Sequence, residues 1–206
     1  MQDNLYDCPE YPLLLILSGP SGVGKDTVAR MLIERRPDSF YFVVTATTRP
    51  PRDNERDGLD YFFVNFDEFA HMIETNELLE YAIVYNDYKG IPKQQIRDAL
   101  ASGRDVILRV DVQGAATVRH LIPNAISVFL TTRTEGGLVR RLHQRKQDTQ
   151  EGMALRTATA RQEMKRLAEF DYCVVNPEGR PEVAVERVLS IIDAAHCRTH
   201  QEPVRL

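Results

Sequence analysis

The run Gly19-Pro20-Ser21-Gly22-Val23-Gly24-Lys25-Asp26-Thr27 holds the residues whose types and spacing are best suited to chemistry. Glycines at 19, 22 and 24 carry no Cβ, so consecutive backbone N–H groups can turn inward around phosphate oxygens. The apolar run Leu13 to Leu17 precedes them and a helical pattern follows, which places these amides at the positive end of a helix. Lys25 adds a mobile charge for the outer phosphates. The pattern is that of a phosphate-binding loop in every place but one: the residue after the lysine, ordinarily a Ser or Thr whose hydroxyl meets Mg²⁺, is Asp26. A glycine turn that binds nothing is the plainer reading, and the strand before it and the helix after it argue against that.

A second group is Thr45-Ala46-Thr47-Thr48-Arg49-Pro50-Pro51-Arg52, followed by Asp57-Gly58-Leu59-Asp60-Tyr61-Phe62. Two arginines three apart, stiffened by prolines, present two planar forks that can hold one phosphate from different sides. Each residue also has a plainer reading. Arg49 and Arg52 read as an exposed loop pair, Tyr61 as a core aromatic and Glu80 as a solvated charge at a strand end. Arg141, Arg145 and Arg156 flank the polar segment 147–152 and read equally as a solvated helix face.

These residues need elements to position them. Periodicity gives a strand at 13–17, then a helix with Val28, Ala29, Leu32 and Ile33 on one face, ended by Pro37. From 38 to 95 the texture changes to short β-like runs at 40–45, 60–64 and 80–85, a polar loop at 49–58, and a helix over about 67–78 begun by Asp67. A helix at 93–102 and a core strand from Asp105 to Asp111 follow. After them come a strand at 125–130, an arginine-rich helix at 135–146, a polar segment, a long helix to about 169, a strand at 172–175 and a last helix at 181–197. Alternation of this kind predicts an α/β fold, a parallel sheet with helices on both faces and ligands beyond the carboxyl ends of its strands. The expected division is one domain over 1–206: core 13–37, 96–135 and 170–198, an inserted lobe at 38–95, and a lid at 136–169.

Composition narrows the classes. The chain has 206 residues, a net charge of −4 and 27% charged residues, with no basic excess to hold nucleic acid. No apolar run is long enough for a membrane span, and the start lacks the pattern of a targeting peptide, so the expected compartment is the cytoplasm. Cys8, Cys173 and Cys197 are too few and too irregular for a disulfide framework, and Cys173 is expected in the core. His196, Cys197 and His200 read as solvated residues near the C-terminus rather than metal ligands.

The order and spacing of Gly19 to Lys25, Thr45 to Arg52, Leu79-Glu80-Tyr81 and Asp111-Val112-Gln113-Gly114 resemble the guanylate kinases over essentially the whole chain. The Gly-Lys-Asp loop, Tyr88-Lys89-Gly90-Ile91-Pro92 and Arg109-Val110-Asp111 are most similar to the plastid and organelle-type branch. The resemblance implies a P-loop nucleoside monophosphate kinase fold and Mg²⁺-assisted transfer of the ATP γ-phosphoryl to GMP or dGMP. It implies that Arg49, Arg52 and Tyr61 hold the GMP phosphate while Thr45, Glu80 and Asp111 read guanine. Arg141, Arg145 and Arg156 resemble lid arginines that close over ATP, and Asn176 an adenine contact. Partners are then ATP and GMP alone, with monomer or homodimer left open. Two rival readings share the resemblance: a ribose 1,5-bisphosphate kinase, which has no base to read, and a non-catalytic binding module, which lacks the phosphate-binding residues present here.

Five departures from the family pattern stand out. Ile91 stands where a hydroxyl residue resembles a donor to guanine O6, and Lys89 stands for a tyrosine near the acceptor phosphate. Gln144, Lys146 and Gln147 occupy lid positions that are commonly glycine. Asp26 brings a carboxylate to the loop, while Arg109 replaces the first acid of an Asp-x-Asp pattern. A charge gained on one element and lost on another predicts that Asp26 orders the metal and pairs with Arg109 in its absence.

Overall fold

The computed structural model describes residues 10–53, 55–84, 86–143 and 150–206. Its core sheet is built on β1 (Leu14–Ser18), whose five residues are all buried. Beside it lie β2 (Phe40–Phe42), β7 (Asp105–Arg109), β8 (Ile126–Thr131) and β9 (Tyr172–Val175), in the order β2-β7-β1-β8-β9. Every pairing in this sheet is parallel. An apolar run without polar alternation fits such a sheet because both faces are covered. Leu13, Leu15 and Leu17 join the cluster under α1 (Lys25–Arg35) and α7 (Pro181–His196). Leu14 and Ile16 join the opposite cluster under α3 (Lys93–Ala101) and α4 (Val112–Leu121). The two-residue period of the strand therefore divides one leucine-rich run between two cores.

A second sheet, in the order β4-β3-β6-β5, forms the inserted lobe. It comprises β3 (Ala46–Thr47), β4 (Phe62–Phe63), β5 (Leu78–Val84) and β6 (Asp87–Pro92). Helix α2 (Phe66–Glu74) packs Phe69 against Ala46 and Leu78 in a small core. Helices α5 (Glu135–His143) and α6 (Gln150–Met164) stand over the other side of the loop after β1, and a short 3-10 turn, Leu167–Glu169, leads into β9.

Several expectations need correction. The run 40–45 was assigned to the lobe, but β2 pairs with β7 in the core sheet, because Phe40 needs the cover of the large cluster. Helix α2 is capped by Asn65, not begun by Asp67: Asn65 accepts from the Glu68 amide while Glu68 Oε2 accepts from the Asn65 amide, each at 2.8 Å. The strand at 105 ends at Arg109, and Asp111 instead caps α4, a helix that no sequence pattern announced. Strand β6 was likewise unannounced. The last lid helix stops at Met164 rather than running to 169. Cys173 is exposed, since β9 is the edge strand and turns Tyr172 and Val174, not Cys173, toward the core. His196 is not merely solvated: its Nε2 lies 2.8 Å from buried Asp105, whose other oxygen accepts from the Leu13 amide at the start of β1. Cys8, Arg145, Gln144, Lys146 and Gln147 lie outside the described residues.

Candidate active site

The loop from Gly19 to Gly24 leaves the carboxyl end of β1, where the neighbouring strands β7 and β8 belong to opposite halves of the sheet. Its glycines are required by the backbone. Gly19 has φ 132°, and a Cβ there would stand 2.1 Å from the carbonyl oxygen of Leu130; Gly24 has φ 90°, and its Cβ would meet Asn176 Nδ2 at 2.7 Å. Lys25, the first residue of α1, donates to the carbonyls of Gly19 and Pro20. Burial pushes its ammonium below the ordinary lysine value, opposed first by Glu163 and then by Asp26. The loop is braced from behind at a single carbonyl. Val23 O accepts from Asn176 Nδ2 at 2.7 Å and from Arg141 at 3.1 Å, and Arg141 also donates to the Asn176 carbonyl at 2.9 Å.

Across a cleft of about 460 Å³ the lobe supplies a different surface. Glu80 on β5 faces Asp111, whose Oδ1 accepts from the Gln113 and Gly114 amides as the cap of α4. Burial first, and the Asp111 charge second, push the Glu80 carboxyl up to about 7. Gly114 makes room for it: a Cβ there would lie 3.3 Å from the carboxylate. Thr45, Lys89 and Ile91 line the same end, Ile91 as a buried wall shared with the core.

Tyr61 sits where the halves meet, ringed by cations. Arg49 lies 5.1 Å from its ring centre, Lys89 5.6 Å and Arg109 5.0 Å. Glu55 holds Arg49 bidentately at 2.8 and 2.9 Å and accepts from the Arg52 amide at 2.9 Å, so the arginine loop is organised by its own carboxylate. Burial would raise the Glu55 carboxyl, but the hydrogen bonds from Arg49 and the Arg52 amide, with the charges of both arginines, together outweigh it and hold it below its ordinary value. Arg109, beside β1 through the register Leu17 to Arg109, donates to Asp26 at 2.7 Å. The expected ion pair is therefore formed.

A phosphate loop, a carboxylate pair and an arginine loop around one cleft are the parts of a kinase for a small phosphorylated acceptor. The family model for guanylate kinase matches residues 11–195. The chain belongs to the guanylate kinase family. Guanylate kinase 2, chloroplastic/mitochondrial, of rice is 54% identical over 199 residues, covering 96% of this chain and 70% of that one. The guanylate kinase of Xylella fastidiosa is 40% identical over 192 residues, covering 93% of each. Among solved structures, guanylate kinase from Anaplasma phagocytophilum superimposes with a TM-score of 0.76 at 29% identity, covering 92% of this chain and 89% of that one. The higher identity to the rice protein supports the organelle-type branch. Among the described residues no helix is long and apolar enough to cross a membrane.

Within this guanylate kinase fold the expected residues divide. Pro20 to Asp26, Thr45, Tyr61, Glu80, Lys89, Ile91 and Asp111 line the cleft together. Gly19 lies beneath the loop, and Thr27 is on α1 outside the cleft lining. Arg49 reaches the cleft edge through Tyr61, and Arg52 is exposed nearby. Arg141 and Asn176, expected over ATP, are turned to the back of the loop instead, where the buried Val23 carbonyl takes their donors. Arg156 lies on α6 before the stretch of that helix that lines the cleft. That part of the lining, Thr159, Gln162 and Glu163 on the helix and Arg166 just past its end, was missed by sequence reasoning. Glu163 is its most telling member, since it accepts from the Ser21 amide of the loop at 3.3 Å.

Proposed function

We infer that this chain catalyses ATP-dependent phosphorylation of GMP and dGMP. The observation that carries the reading is Glu80 of the lobe held opposite Asp111, the cap of α4, in one cleft with the Gly19–Lys25 loop. Guanine presents donors at N1 and N2, which a fixed carboxylate accepts together. Adenine has no N1 hydrogen and leaves that carboxylate unpaired. Thr45 and the Ile91 wall complete the base end, and Arg49, Arg52, Tyr61 and Lys89 take the acceptor phosphate.

In the reaction a GMP phosphate oxygen attacks the γ-phosphorus of ATP. A new P–O bond forms, the bond from the γ-phosphorus to the β–γ bridging oxygen breaks, and its electron pair leaves with ADP. The acceptor oxygen is already anionic at pH 7, so no general base is required. Catalysis is then positioning and charge neutralisation, with Lys25 and the loop amides on the donor and the arginine loop on the acceptor. Arg141 serves the donor indirectly, by fixing the loop from behind. Mg²⁺ bound with ATP would supply neutralisation of phosphate charge. Asp26, with its largely exposed carboxylate one residue beyond Lys25, is a donor of the hard oxygen type that this ion takes.

One assay tests the reading: coupled ADP release with GMP, AMP or ribose 1,5-bisphosphate as acceptor. Turnover with GMP at least a hundredfold above the others is expected. Turnover with the sugar phosphate alone, or with none, would overturn it.

A further inference from the structure

The residue after the loop lysine is the position from which a phosphate-binding loop meets its metal, and a carboxylate there stands beside triphosphate oxygens of the same sign. The structure offers Asp26 a partner 83 residues away, Arg109 at 2.7 Å. The two ends of this pair differ. The Arg109 side chain is 12% exposed, packed between Phe42 at 5.2 Å and Tyr61 at 5.0 Å, whereas the Asp26 side chain is 62% exposed. Arg109 is thus part of the wall, and Asp26 is the end that solvent and solutes reach. One guanidinium nitrogen of Arg109, Nη2, is buried without a hydrogen-bond partner among the described residues. The guanidinium that carries it lies over Tyr61, a ring that Arg49 and Lys89 also approach.

A buried guanidinium that loses its hydrogen-bonded carboxylate is strongly disfavoured unless another anion replaces it. Asp26 has two competing cations, Arg109 and the divalent ion that accompanies the donor. Arg109 has two competing anions, Asp26 and a phosphate beside Tyr61. We propose that Asp26 and Arg109 form an exchangeable ion pair that couples the two substrate subsites. With the donor and its metal bound, Asp26 turns to the metal's water shell, and Arg109 turns its guanidinium to the acceptor phosphate. The pair then does more than tolerate a misplaced carboxylate, because it makes acceptor binding respond to the metal on the donor. The inference rests on the reading of the cleft as an ATP and GMP site.

The test is calorimetric titration of GMP into the full chain held with saturating ADP, which cannot transfer a phosphoryl group, in either Mg²⁺ or EDTA. In the wild type Mg²⁺ should tighten GMP about tenfold, within the roughly 5–150-fold range of couplings between sites. Asp26→Asn releases Arg109 permanently, so GMP should bind tightly in EDTA and gain less than twofold from Mg²⁺. Arg109→Gln should also lose the coupling, but with GMP weak under both conditions. Opposite baselines with a common loss of coupling are what a merely structural pair would not produce. Asp26→Ser with Arg109→Asp keeps a carboxylate near the metal without the exchange, and melting curves of all variants report folding. Equal Mg²⁺ responses in wild type and Asp26→Asn would overturn the exchange while leaving the activity intact. Failure of wild type to bind GMP in any condition would overturn the reading of the cleft and the inference with it.

Discussion

Replacing Glu80 by Gln should make the enzyme more stable and much worse at binding GMP. Burial and the neighbouring Asp111 raise the Glu80 carboxyl from 4.5 to about 7. The folded protein therefore holds this proton more tightly than the unfolded chain. The resulting cost is absent below pH 4.5, grows between 4.5 and 7, and is complete above. At 1.36 kcal/mol per unit the ceiling is about 3 kcal/mol, which partial solvent access to the carboxylate reduces to roughly 1–2 kcal/mol. For a chain of this size that is a gain in Tm of about 2–8 °C at pH 8, and none at pH 4.5. Function moves the other way. Hydrogen bonds to a charged group are worth about 1.5–3 kcal/mol each, so losing one should raise the KM for GMP by roughly 10–150-fold with the KM for ATP unchanged. In the wild type GMP affinity should also fall as pH drops from 8 to 6, where Glu80 becomes about nine-tenths protonated. The phosphate of GMP titrates near pH 6 as well. The variant retains that titration, so the difference between the two pH profiles isolates Glu80. Urea unfolding at pH 4.5 and 8 together with GMP kinetics makes the measurement. A stability difference independent of pH, or a KM within twofold of wild type, would refute the reasoning.

Glu163→Gln removes a carboxylate that shares the loop amide of Ser21 with incoming phosphate, and with screening close to that of bulk water such a repulsion is worth about 1 kcal/mol. ADP should bind about fivefold more tightly by calorimetry. Burial raises the Glu163 carboxyl against the opposing pull of Lys25, so the difference should shrink as pH falls and the wild-type group takes up a proton. Arg141→Met deletes the donors at the Val23 and Asn176 carbonyls, which should lower stability by about 1.5–3 kcal/mol in urea unfolding and weaken ATP more than GMP. Gly114→Ala brings a methyl to 3.3 Å from the Glu80 carboxylate and should raise the KM for GMP several-fold, leaving that for ATP alone; equal effects on both substrates would point to general disturbance of α4.

What the sequence disclosed about the fold followed the strength of its patterns. β1, β7 and β8 are mostly apolar runs without polar alternation because both faces of the core sheet are covered, and they were legible for that reason. α4 was not legible. It carries Gly114 and two alanines in its first turns and only a weak apolar stripe, so Asp111 was absorbed into the preceding strand instead of being read as a cap. β6 was hidden by Lys89, Gly90 and Pro92, none of them strand formers. Its glycine is there because a Cβ would stand 2.8 Å from Leu78 and 3.0 Å from Phe69, so the lobe core presses directly on the backbone. Cys173 was misplaced because an edge strand has the same residue alphabet as a central one while only one of its faces is covered.

The site was legible where chemistry is local and obscure where it depends on contact at a distance. A glycine loop and a pair of arginines announce phosphate by their own spacing. Arg141 carries the same charge, yet its donors serve carbonyls 118 and 35 residues away, and nothing in the sequence separates a brace from a catalytic cation. Glu163 lies on a helix whose apolar residues form no single face and meets the loop 142 residues away, so it gave no signal at all. The Asp26 and Arg109 pair is the instructive exception. Neither residue reveals the other, but each breaks an otherwise regular pattern, and the breaks have opposite sign. A carboxylate added beside phosphates and an arginine set into an apolar strand both carry a cost that only a partner can offset. The parallel register of β1 with β7 makes them neighbours. Two departures that are each unfavourable alone and compensating together thus located a long-range contact, because electrostatic cost, unlike side-chain packing, can be read from residue type before the fold is known.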